Sequence, residues 1–151
     1  MDTTRLAVSA TSFVVGVVAA LLVRVGLRGG FVKALTTGSS WRDMKMVMVV
    51  RSDLAIGRNK AAAQCAHAAI NCYKRALTDA PKDLRRWETQ GQTKVVVKVS
   101  GEAELMEVAE NAQAEGLVAV VIHDSDSAIV LGIGPGPTAL VDKVAGHLRL
   151  Y

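Results

Sequence analysis

The chain predicts an α/β fold: a mixed four-stranded sheet flanked by helices in the order β-α-α-β-α-β-β-α, preceded by one N-terminal transmembrane helix. Three observations carry this expectation. The runs KMVMVV (45–50), TKVVVKVS (93–100), LVAVVI (117–122) and AIVLGI (128–133) are valine-rich and of strand length. Between the first three runs lie segments with apolar residues three and four apart, the period of a helix. The two tryptophans, two tyrosines and two phenylalanines are too few to fill a core, so the layers must pack through aliphatic side chains.

Residues 1–28 read as a membrane anchor. Eighteen uncharged residues, LAVSATSFVVGVVAALLV, separate Arg5 from Arg24. That is the lower edge for a bilayer span, and Val25-Gly26-Leu27 extends it when Arg24 snorkels. The run is longer than the apolar part of a secretory signal. Arg24, Arg28, Lys33 and Arg42 follow it, against Arg5 and Asp2 before it, so the positive-inside bias leaves the remaining chain in the cytosol. The expectation is an uncleaved anchor through residues 6–27 in the outer mitochondrial membrane, with the endoplasmic reticulum as the alternative. Residues 29–43, GGFVKALTTGSSWRD, have no apolar period and read as a flexible linker to a domain spanning 44–151.

Within that domain the run 45–50 is a buried strand ending at Arg51-Ser52-Asp53. A helix is expected from about Asn59 to Ala76, and PKDLRRWE (81–88) is a second, opened by proline at its first position. Strand 93–100 leads into GEAELMEVAENAQAEG (101–116), where Leu105, Val108, Ala109 and Ala112 share one face and Gly116 stops the helix. His123 to Ser127 separate the next two strands, a gap short enough for a hairpin. GPGPTALVDKVAGHL (134–148) reads as a Gly/Pro turn entering a last helix. The usual glycine fingerprints for nucleotides and dinucleotides are missing.

Charge is unevenly placed. Residues 44–98 hold eleven basic and four acidic side chains, a net +7, whereas residues 99–151 carry −6. One part of the domain is thus suited to a polyanion. Cys65 and Cys72 are the two cysteines. Seven helical positions separate them by about 10 Å of rise, too far for a disulfide, and no metal-binding spacing is present.

Lys60, Gln64, His67 and Asn71 fall on one face of the alanine-lined helix. That pattern suits an ordinary solvated face, and a histidine among alanines suits a packing residue. Lys60, however, stands near the helix N-terminus, where a cation is disfavoured unless an anion is bound.

The segments MVMVVRSDL, GRNKAAAQCAHAA, VLGIGPGP and LVDKVAGHLRLY resemble the type 2 peptidyl-tRNA hydrolases of archaea and eukaryotes, in order and over nearly all of 44–151. Members with an N-terminal membrane segment match the whole chain. The resemblance implies hydrolysis of the ester between a peptide and the terminal ribose of tRNA, with no metal or organic cofactor. It assigns catalytic roles to Lys60, Gln64, His67 and Asp124. Arg51, Arg58, Lys94 and Lys98 are then candidates for tRNA phosphate contacts, although Lys94 and Lys98 equally suit solvent-facing strand positions. Peptidyl-tRNA is the implied partner, beside the membrane at residues 6–27. Further protein partners and a homodimer are compatible with the pattern and not specified by it. One departure lies at the site. The family continues after its aspartate with Ala-Gly-Arg-Thr-Gln and further loop residues, whereas here Ser125-Asp126-Ser127 lead directly into AIVLGI, shorter by roughly eight to ten residues. Ser127 is the candidate to supply the missing threonine's hydroxyl. The alternative reading is a weakly active or inactive relative serving as a membrane-tethered interaction protein.

Overall fold

MKMVMVVR turns alternate side chains to opposite faces and is apolar on both, so it is stable only where helices cover the sheet on each side. It forms β1, Met44–Arg51. The structure, a computed structural model, describes residues 43–124 and 127–151. The anchor expected at 6–27 and all of the linker but Asp43 lie outside the described residues. Among the described residues no helix is long and apolar enough to cross a membrane.

After β1 come α1 (Arg58–Asp79), α2 (Pro81–Thr89), β2 (Lys94–Val99), α3 (Glu102–Ala114), β3 (Ala119–Asp124), β4 (Ser127–Pro137), α4 (Thr138–Ala145) and β5 (Arg149–Leu150). The sheet order is β3-β4-β1-β2-β5, with β1 and β2 parallel and the other neighbours antiparallel. Met44, Met46, Met48 and Val50 meet α1 and α2 through Ala61, Ala68, Cys72, Leu84 and Trp87. Val47 and Val49 meet α3 and α4 on the other side, where Leu105, Val108, Ala109 and Ala112 are all buried as their spacing requires.

Alanines on α1 allow a close approach to the sheet. At Gly132 on β4, a Cβ would lie 2.5 Å from Cys72 Sγ and 3.3 Å from the Ala68 carbonyl oxygen, so any larger residue forces the layers apart. Burial pushes the Cys72 thiol up to about 12, leaving it a small apolar packing group. Both cysteines are free.

Several expectations change. The sheet has five strands rather than four, because Arg149–Leu150 pairs with Val97 and Lys98 and covers the edge of β2. Two residues carry no readable period. GPGP belongs to β4 and not to a turn: Gly136 and Pro137 pair with Lys45 and Met44 across a register shift that accommodates them. His123, Asp124 and Ser127 are strand residues, with Asp124 opposite Ser127, so residues 125–126 alone connect the hairpin. Helix α1 also runs on to Asp79, and α4 is shorter than expected, beginning only at Thr138.

Candidate active site

Helix α1 starts from the loop that follows β1, and its first turn holds no acidic residue and no side-chain cap. Lys60 in that turn faces a helix end that is already electropositive. Its compensation comes from the last residue of β3: Lys60 Nζ lies 2.5 Å from Asp124 Oδ2, joining residues 64 positions apart. Both side chains remain about half exposed, at 52% and 43%. A surface pair of this kind is worth only about 0–1 kcal/mol, so a ligand can open it at small cost. Gln64, one turn on, is half-buried. His67 is exposed and not packed among the alanines, which face the sheet from the neighbouring side of α1. Asn71 Nδ2 donates to the His67 carbonyl oxygen at 3.0 Å, an arrangement internal to the helix.

The four basic residues separate. Arg51 is 7% exposed and is the buried charged residue of the described core. Its guanidinium donates to both Asp53 oxygens (3.1 and 2.7 Å), to Glu102 Oε2 (2.7 Å), to Ser127 Oγ (2.8 Å) and to the Ala128 carbonyl oxygen (2.7 Å). Buried and held by acceptors of the protein, it is not presented to solvent as an exposed phosphate contact would be. The Asp53 hydrogen bond holds the Arg51 pKa above its ordinary value, and the same bond holds Asp53 below its own. Lys94 sits at the opposite end of β2, with Nζ 4.6 Å from the centre of the Trp87 ring and donating to the Gln92 carbonyl oxygen. Arg58 and Lys98 remain exposed and line one open cleft of about 810 Å³ with Ala61, Ala62, Cys65 and Tyr151.

That cleft is not lined by Lys60, Gln64 or His67. Ser127, the candidate for the missing hydroxyl, is engaged on the side of Arg51. It accepts from Arg51 and donates toward Glu102 Oε2 at 3.4 Å. Sequence reasoning missed the tie from Arg51 to Glu102, 51 residues away, and missed Arg149 and Tyr151 at the cleft side of the sheet. The acidic partners were visible only as part of a helix face, and β5 left no pattern.

The family model described as Peptidyl-tRNA hydrolase PTH2 matches residues 44–151, the whole described domain but for Asp43. The Bos taurus protein "Peptidyl-tRNA hydrolase 2, mitochondrial" is 47% identical over 116 residues, covering 72% of this chain and 65% of that protein. The Drosophila melanogaster "Probable peptidyl-tRNA hydrolase 2" is 43% identical over 115 residues, covering 72% and 62%. The Halobacterium salinarum "Peptidyl-tRNA hydrolase" is 44% identical over 115 residues, covering 72% of this chain and 100% of that protein. The chain thus spans a little under two thirds of the animal relatives and the full length of the archaeal one. Each matched stretch is several residues longer than the part of this chain it covers. With the match running from β1 to the last residue, the chain belongs to the peptidyl-tRNA hydrolase PTH2 family.

Proposed function

We propose that this chain hydrolyses the ester joining a peptide to the terminal ribose of tRNA. The observation that carries the reading is the half-exposed Lys60–Asp124 pair, formed at the edge of the sheet in a member of this family. The names of the relatives support the substrate. Water attacks the ester carbonyl carbon while Asp124 takes its proton, and the Lys60 ammonium stabilises the oxyanion that develops. Collapse breaks the bond to the ribose oxygen, which leaves with the proton held by Asp124, and the peptide departs as its acid. Gln64 supplies an amide one turn from Lys60, and His67 is the outer member of the same face. Arg58 and Lys98 contact phosphates.

Residues 6–27 anchor the domain to a membrane through the linker 29–43. The word "mitochondrial" in the bovine relative's name supports the outer mitochondrial membrane, with the endoplasmic reticulum as the alternative.

A second reading, a weakly active relative acting as a tethered interaction protein, is favoured by the two-residue hairpin and by the capture of Ser127. The extra residues in the relatives support a shortened loop after Asp124. Release of labelled peptide from peptidyl-tRNA by the full chain decides between them. A rate that Lys60→Ala and Asp124→Asn both abolish supports hydrolysis. A wild-type rate no higher than either variant's leaves the second reading.

A further inference from the structure

Arg51 is the buried charged residue of the described core, and the proposed hydrolysis gives it no part. Its guanidinium is divided between two directions. Nε and Nη2 hold both oxygens of Asp53, in the loop that runs from β1 to α1, seven residues before Lys60. Nη1 turns the other way, to the Ser127 hydroxyl, the Ala128 carbonyl oxygen and Glu102. The β1–β4 ladder ends at the pair Val50–Val130. Beyond it the Arg51 side chain takes over from the backbone of β1 and donates to the buried Ala128 carbonyl oxygen.

On their other side the same two residues pair with β3, Ala128 with His123 and Ser127 with Asp124. A register shift precedes these pairs, with Ile129 as an extra residue of β4. A bulge of this kind bends the strand and re-aims the side chains beyond it. The direction of Asp124 is therefore not set by the regular ladder. Ser127 and Ala128 hold it from one side, and Arg51 holds them from the other. We propose that Arg51 is the positioning residue of this site: it braces the loop that leads to Lys60 against the strand end that carries Asp124, and aligns the two without touching substrate. The inference rests on the proposed hydrolysis through Lys60 and Asp124. The task requires arginine. A planar fork presents Nε and Nη2 to one carboxylate while Nη1 faces away, whereas a lysine ammonium is a single point and serves one side at a time.

Arg51→Lys and Arg51→Met are compared with Leu84→Ala, which empties a buried position on α2, a helix that contributes no residue to the site. Hydrolysis of peptidyl-tRNA by the full chain is measured well below each melting temperature, with rates divided by the folded fraction from circular dichroism. Both Arg51 variants should lose about 10²-fold in kcat with KM within about twofold of wild type, the cost of a small misplacement, and Leu84→Ala should keep its kcat. A rise in KM with kcat unchanged makes Arg51 a substrate contact and overturns the proposal. So does an Arg51→Lys with the wild-type rate, or a loss in Leu84→Ala equal to that of the Arg51 variants. Where Arg51→Met does not fold, Ser127→Ala removes a single acceptor and should show the same loss in smaller measure. A readout without turnover keeps this proposal apart from the activity. A water-soluble carbodiimide condenses Lys60 Nζ with the Asp124 carboxyl to an amide, taking up the displaced oxygen as its urea, and mass spectrometry of the peptides gives the yield. The crosslink should form in wild type and in Leu84→Ala and be largely lost in both Arg51 variants. Equal yields in all four overturn the brace. Arg51-dependent crosslinking in a wild type that releases no peptide defeats the proposed hydrolysis and leaves the brace standing.

Discussion

Two charged clusters stand at the ends of strands, Arg51 on the central β1 and Asp124 on the edge strand β3, and use their charges in opposite ways. Around Arg51, every acceptor is supplied by the protein: two carboxylates, a hydroxyl and a carbonyl surround a side chain 8% exposed. Around Lys60 there is one carboxylate, and about half of each partner faces solvent. A buried charge has to be satisfied for the chain to fold stably, and the acceptors that satisfy it keep it turned inward. An exposed pair contributes little to folding and gives up little when it opens. Arg51 thus fastens the loop after β1, the start of α3 and the beginning of β4, while the Lys60–Asp124 pair can open at small cost.

The largest expected effect separates the two clusters by activity. Lys60→Ala should lower peptidyl-tRNA hydrolysis by about 10²–10³, the usual cost of removing one preorganised charge from a transition state. A smaller loss places the oxyanion elsewhere. Next comes stability: Arg51→Met removes the side-chain donor from the buried Ala128 carbonyl oxygen and the Ser127 hydroxyl, and should lower Tm by about 5 °C or more in a thermal melt. If it melts like wild type, the buried cluster is not a fastening.

Acid sharpens the contrast further. Arg51 holds Asp53 below its ordinary value of 3.8, so the unfolded chain binds the proton first as pH falls. The stability from this group is complete above its unfolded value and is lost as pH drops through 3.8 toward the folded value. In Arg51→Met the acid limb of stability should become shallower by up to about one proton below pH 4. Glu104 and Asp79 are also held low, by Ser100 and Arg75, and keep their share in the variant. The smallest effect is the stability change in Lys60→Ala, expected within about 0.5 kcal/mol by urea titration.

The difference between these clusters also explains what could be read in advance. The resemblance put Lys60 and Asp124 in one site, and each ends or begins an element whose period is plain: the helix of alanines and the valine strand. The faces of α3 and β1 were legible for the same reason. Arg51 was misread because arginine at the end of a strand is ordinarily solvated, and its burial depends on Glu102 arriving from an element 51 positions away. The engagement of Ser127 by Arg51 was hidden for the same reason, since it depends on where the Arg51 side chain is buried. The GPGP segment looks like a turn until β1 is placed beside it. Strand β5 is two residues long and exists because β2 offers it an edge.

Gly132 has a mechanical consequence for the site. It is a spacer of zero thickness under α1, seated against Cys72 and Ala68 toward the helix's middle and far from Lys60. A methyl group there would act as a shim, tilting a rigid 22-residue rod and moving its far end more than its point of contact. From residue 72 to residue 60 the rod measures about 18 Å, so a lift of a few tenths of an ångström at one point is enough to disturb alignment at the other. The tolerance of the Lys60–Asp124 pair is therefore set at a glycine that touches neither residue and has no side chain to do chemistry.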